Sequence, residues 1–238
     1  MKDSNYKNFP NPYIDNIIGN SDDNYFTPVL NEVLSSIKTP SIICDIGCGN
    51  GIFSAALKKN DSSLIGIDGS EYALKKALEI GFDQVHLVKD LSLDILPINS
   101  QYSDLVICKD LLEHLLFPEH LISEINRITS PGGYLLLHVP NHFPIIGRLR
   151  MLFTNKIDTF NYFPNSDRWN FPHIRFFDKE SLIKLALKYD FKMQSDHSWL
   201  FFRPAKLIKI FPSLVKIFGN RYSNSTSEGF TILFKKDG

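Results

Sequence analysis

Seven residues, Asp45-Ile46-Gly47-Cys48-Gly49-Asn50-Gly51, combine a carboxylate with glycines at three alternate positions. A turn of this composition lets the backbone pass close to a ligand without Cβ collisions. Set before a helix, it also aims the free N–H groups of the helix start at that ligand. The spacing is G-x-G-x-G, whereas a dinucleotide fingerprint needs a glycine at position 52, which holds Ile52. Asp45 would repel a pyrophosphate but could pair with an ammonium or reach an amino-acid moiety through water. A nicotinamide dehydrogenase is disfavoured on both counts. Asp68 lies about 20 residues beyond the first glycine, the spacing of a ribose-binding carboxylate in a βαβ unit; its bland alternative is a charge at a helix N-terminus. Further on, Asp110, His114, His142 and His173 offer groups able to take a proton near neutral pH.

Asp45 to Gly51 resembles motif I of the class I S-adenosylmethionine (SAM) dependent methyltransferases. The entry His173-Ile174-Arg175-Phe176-Phe177 is similar to that of small-molecule and glycan-cluster members of the superfamily. The resemblance runs from Ser41 to Lys235, with 141–173 outside it. It implies that Asp45, Gly47, Cys48, Gly49 and Gly51 contact the methionine part of SAM, that Asp68 with Gly69 holds the ribose, and that Asp90 and Leu91 meet the adenine. A carboxylate only accepts hydrogen bonds, so Asp90 suits an exocyclic amino group. Lys109 is expected beside the sulfonium through its backbone, and Lys109-Asp110-Leu111-Leu112-Glu113-His114 resembles the segment that lines the pocket after strand four. The implied reaction moves the methyl group to a small-molecule acceptor, leaving S-adenosylhomocysteine. O-methylation of a sugar, quinone-like or lipid-linked metabolite fits best. His142, His173, His114 and Asp110 are the candidate bases, and no motif fixes the choice. The alternative is a methyltransferase-fold accessory protein that acts only through a partner enzyme.

Short apolar runs alternating with helical patterns must position these residues. Strands are expected at 41–45, 63–68, 85–89, 104–109 and 134–139, a sixth within 191–202, and a last at 229–235. Helices are expected at 52–59, 71–80, from Pro118 to the Pro131-Gly132-Gly133 stop, and at 179–189 after an Asp178 N-cap. Runs rich in Ile, Val and Leu indicate a parallel sheet covered on both faces. The resemblance makes this a Rossmann-like α/β fold: seven strands, mostly parallel, helices on both faces, an antiparallel last strand and an aromatic-rich insertion after strand five. Residues 1–238 read as a single domain. Residues 1–40 form an N-terminal arm and helix, with Tyr13, Tyr25 and Phe26 as candidates to close the site. Residues 141–177, bearing Phe143, Phe160, Trp169, Phe171 and Arg148, Arg150, Arg168 and Arg175, read as a cap over the substrate side; a self-packed extra subdomain or a dimer contact is nearly as good a reading.

Composition sets the outer limits. The 238 residues carry 26 basic and 26 acidic side chains, so no global field draws the chain to nucleic acid or anionic membrane. Three cysteines, Cys44, Cys48 and Cys108, are too few for a disulfide framework and fit a reducing cytosol. No acid and histidine set shows metal spacing along the chain, so a metal-independent reaction is expected. No apolar run of about 18 residues crosses the sequence, and a homo-oligomer is compatible with all of it. The apolar, basic segment at 206–218, broken by Pro212, fits a core-covering helix pair better than a membrane-resting face.

Overall fold

The computed structural model describes residues 27–59, 61–154, 173–202, 207 and 210–238. Seven strands form one sheet in the order β3-β2-β1-β4-β5-β7-β6. They are β1 Ile42–Ile46, β2 Ser63–Asp68, β3 Gln84–Leu87, β4 Ser103–Lys109, β5 Thr129–Pro140, β6 Phe191–Asp196 and β7 Gly229–Lys236. The pairs among β1 to β5 are parallel, and β7 runs antiparallel to both β5 and β6.

The pleat sends alternate side chains to opposite faces. On one face Cys44, Ile46, Ile65, Ile67, Val106, Cys108, Leu135 and Leu137 meet helix α4 (Pro118–Ile128) and helix α6 (Lys179–Leu187). On the other, Ile43, Leu64, Leu105, Ile107, Leu136 and Leu233 pack with α1 (Thr27–Ser36) and α3 (Glu71–Glu79). Both faces are therefore covered, as the continuous apolar strands require. Packing outweighs capping in placing α4. Phe117 at its N-cap makes no side-chain cap bond, a loss of about 1 kcal/mol. Leu121, Ile122, Ile125 and Ile128 are fully buried, each contributing roughly 2 kcal/mol.

Several element boundaries differ from expectation for local reasons. Helix α2 is one turn, Ile52–Ala55, rather than 52–59, because the chain must turn back to start β2. The Pro131-Gly132-Gly133 stop lies inside β5, which opens at Thr129 with an irregular register against β4. Asp178 caps α6 in a capping box with Ser181, as expected. Helix α5 (Ile145–Thr154) follows β5 and buries none of its residues. The rest of the expected cap, 155–172, including Phe160, Arg168, Trp169 and Phe171, lies outside the described residues, as do Tyr13, Tyr25 and Phe26. Near the C-terminus, α7 (Pro212–Arg221) and the short α8 (Ser223–Thr226) precede β7. α7 covers the core only in part: Val215 is buried and Gly219 meets Trp199, while Leu214, Ile217 and Phe218 are exposed. No helix among the described residues is long and apolar enough to cross a membrane.

Candidate active site

The order of strands changes direction between β1 and β4, and a cavity of about 580 Å³ opens beyond the strand ends there. Open α/β sheets bind ligands at such a switch point, and the volume falls within the ~300–1,000 Å³ common for small-molecule sites. Nine of the ten residues assigned to the cofactor line it: Asp45, Gly47, Cys48, Gly49, Asp68, Gly69, Asp90, Leu91 and Lys109.

Gly51 is outside the lining, and its glycine has another cause. It sits at φ 77°, and a Cβ there would lie 2.4 Å from the Phe82 ring. The turn also differs from expectation in how it uses its N–H groups. Gly47 and Cys48 both donate to the Ile67 carbonyl at 2.7 and 3.1 Å, Gly49 to Asp68 Oδ2 at 2.9 Å and Gly51 to the Cys48 carbonyl at 2.9 Å. The first three donors bind the turn to β2 and the fourth closes it on itself, so it contributes shape instead of a row of free amides. Gly49, at φ 54°, has no atom within 4 Å of where a Cβ would stand. It leaves the approach to the cavity open.

Three carboxylates lie around this half of the cavity. Asp45 is buried at the end of β1 and accepts a hydrogen bond from the Ser54 hydroxyl of α2. Burial raises its pKa to about 6, against the lowering effect of Ser54 and the Lys109 ammonium. Asp68 ends β2 and accepts from Gly49 and from Ser70 N–H at 2.9 Å. Burial raises its pKa too, partly offset by those N–H groups. Asp90 is exposed, and its Oδ1 accepts from Ser92 N–H at 2.8 Å. An acidic, partly desolvated rim of this kind fits a cationic amino-acid moiety at Asp45 and hydroxyl or amino donors at Asp68 and Asp90. The cysteines are held as thiols. All three are buried and free, and burial pushes each thiol far up.

The other half of the cavity is set by the end of β4. Lys109 Nζ pairs with Asp110 and lies 4.1 Å from the centre of the Phe53 ring. Asp110 adopts φ 49° and faces His138 Nε2 at 3.4 Å. Burial would raise the Asp110 pKa, but Lys109 and His138 outweigh it and hold the group below the usual carboxylate range. His138 is itself held neutral by burial, with a pKa down to about 4, and lies 2.6 Å from the Thr231 hydroxyl. Of the four candidate bases, Asp110 and His114 line the cavity and His142 and His173 do not. Those two are buried, with His142 Nε2 2.8 Å from His173 Nδ1, and the His173 ring stands edge-on to His114 at 4.8 Å.

The His173 segment is fastened to the chain that follows β4, at Glu113, Leu115 and Leu116. Ile174 and Arg175 N–H groups donate to the Glu113 carbonyl at 2.8 and 3.0 Å, and the Arg175 guanidinium donates to the carbonyls of Leu115 and Leu116. Thus His-x-Arg is a docking device. It brings Glu113, His114 and His173 together, with ligand-offering atoms all within 4.8 Å. Spacing along the chain hid this acid and histidine set, since its members come from two distant segments. Sequence reasoning missed Phe53, Ser54, Leu115 and Leu116 in the lining, whereas Leu111 falls in the segment after β4 that was expected to line it. Ser54 alone carried a signal, a small polar residue one turn past the glycines.

Comparison with known proteins converges on the same architecture. A family model described as a methyltransferase domain matches residues 22–196. The ubiquinone biosynthesis O-methyltransferase of Nitrosomonas europaea is 32% identical over 119 residues, covering 48% of this chain and 50% of that protein. The chain thus spans about half the length of the curated relatives it matches. A SAM-dependent methyltransferase of Archaeoglobus fulgidus superposes with TM-score 0.62 at 17% identity, covering 94% of this chain and 98% of the other. One from Mesorhizobium loti gives 0.61 at 16% identity, covering 91% and 100%. At such identities the structural likeness concerns the fold.

Proposed function

The chain belongs to the methyltransferase domain family, a family of class I SAM-dependent enzymes, and on that premise we propose that it O-methylates a small phenolic or quinone-like acceptor. The observation that carries the proposal is the division of one cavity into two chemistries. Asp45, Asp68 and Asp90 suit the amino-acid, ribose and adenine parts of SAM in turn, while Asp110 and His114 line the same cavity and are left to serve the acceptor. SAM supplies a methyl group already activated by its sulfonium. The protein's part is then to align the acceptor oxygen with that carbon and to exclude water. Leu111, Leu115 and Leu116 add apolar wall to the same cavity, Leu111 beside Gly47 and Leu116 beside Ser92, and such wall suits flat rings. Asp110, kept anionic, would take the hydroxyl proton. The Nitrosomonas relative is a ubiquinone biosynthesis O-methyltransferase, which supports a quinone-like acceptor.

The test is methyl transfer from isotope-labelled SAM to a panel of catechols, other phenols and sugar nucleotides. Turnover confined to the phenolic acceptors, reduced at least 100-fold in Asp110→Asn with SAM affinity kept, is the expected result. Turnover with sugar nucleotides alone, or an undiminished Asp110→Asn enzyme, would overturn the reading. Methyl transfer seen only after a partner protein is added would favour an accessory role.

A further inference from the structure

We propose that the Lys109 ammonium is the carboxylate-binding group of the cavity, holding the amino-acid end of the cofactor and discriminating against nucleosides that lack a carboxylate there. The proposal rests on the SAM reading above. It concerns the lysine side chain, whereas the resemblance implied a contact through the backbone alone. An amino-acid group brings one cation and one anion into a site, and each needs a partner once water leaves. The lining supplies acids in excess, Asp45, Asp68, Asp90 and Asp110. Its lysines are Lys89 and Lys109, and it contains no arginine among the described residues.

The two lysines belong to different parts of the cavity. Lys89 Nζ donates to the Gly69 carbonyl at 3.3 Å, next to the ribose acid Asp68. Lys109 belongs with Asp45. Asp45 is in parallel register with Ile107, two residues before Lys109, so both side chains leave the sheet on the same face. The Lys109 ammonium is near enough to lower the Asp45 pKa, against the larger effect of burial. A zwitterion set here would place its ammonium on Asp45 and its carboxylate on Lys109.

The ammonium is held in place before any ligand arrives. The Lys109 side chain is only 10% exposed, pairs with Asp110 and sets its Nζ 4.1 Å from the centre of the Phe53 ring. A lysine fixed by an acid and an aromatic face loses little further freedom when a ligand binds. An ammonium has three donors, enough to hold Asp110 and a ligand carboxylate at once. Phe53 is followed in α2 by Ser54, whose hydroxyl donates to Asp45. One helical turn therefore steadies both charges, Ser54 the acid and Phe53 the ammonium. Because Asp110 is the proposed base, the same ammonium would tie the cofactor's amino-acid end to the group that takes the acceptor proton.

The experiment is calorimetric titration of the full chain and of Lys109→Met with S-adenosylhomocysteine and with its decarboxylated form, in which an aminopropyl chain replaces the amino-acid group. The wild type should bind S-adenosylhomocysteine about 10–100-fold more tightly than the decarboxylated probe, the scale of a charged hydrogen bond. Lys109→Met should weaken S-adenosylhomocysteine by about the same factor without weakening the decarboxylated probe, so that the preference disappears. Lys109→Arg should keep most of the preference, since it keeps the charge. Equal affinity of the wild type for the two probes would overturn the proposal even if Lys109→Met fails to fold. A preference that survives in Lys109→Met would overturn it as well, by placing the carboxylate on another group. If neither probe binds the wild type, the SAM reading itself fails and the proposal falls with it.

Discussion

At the scale of single residues, Asp45 and His138 make the site sensitive to acid in separable ways. Asp45 titrates near pH 6 in the folded chain instead of its usual 3.8 because it is buried. A ligand ammonium needs the ionised form, so SAM affinity should be level above about pH 7 and fall toward tenfold per unit below pH 6. Calorimetry across pH 5–8 checks this, and Asp45→Asn should bind weakly with a flat profile. His138 works on stability. Its pKa is lowered from 6.5 to about 4, so the folded state loses stability as pH falls from 6.5 to 4, by up to about 3 kcal/mol. Asp45 acts with the opposite sign between pH 6 and 3.8, because its raised pKa favours the folded state as it protonates. The informative quantity is therefore a difference. The stability gap between wild type and His138→Gln in urea should shrink by up to about 3 kcal/mol from pH 7 to pH 4. A constant gap would show that His138 is not held neutral by its burial.

At the scale of elements, the turn before α2 and the His-x-Arg segment carry the shape of the site. Gly51 combines φ 77° with a Cβ position 2.4 Å from Phe82. Gly51→Ala should cost about 2–4 kcal/mol, from left-handed strain and overpacking together, and its melting temperature should fall by several degrees. Gly49→Ala differs because its Cβ meets no protein atom. It should lower SAM affinity with a smaller stability loss of about 1 kcal/mol. Arg175→Ala removes the latch on Leu115 and Leu116. With the His173 segment loosened, acceptor turnover should drop at least tenfold while S-adenosylhomocysteine binding changes little. Steady-state kinetics beside calorimetry separates the two effects.

At the scale of the molecule, the sheet and the grouping of Asp45, Asp68 and Asp90 around one cavity were the legible parts. β-branched runs, the glycine turn and the interval from Gly47 to Asp68 report local geometry, and local geometry repeats along the sequence. The turn's hydrogen bonds to β2 were not legible, because the partner Ile67 carbonyl belongs to a neighbouring strand. The same is true of the grouping of Glu113, His114 and His173, which depends on a docking contact between distant segments. Gly51 shows the limit from the other side: a glycine inside such a motif can be required by backbone conformation and packing, with no ligand contact. The most direct measurement for the whole reading is calorimetric titration of S-adenosylhomocysteine into the wild-type chain and Asp68→Asn. One molecule bound by the wild type, and affinity at least 10–100-fold weaker in the variant, is the expected result for a lost charged hydrogen-bond acceptor. No binding to the wild type, or equal binding to both proteins, would contradict the assignment of this cavity to SAM.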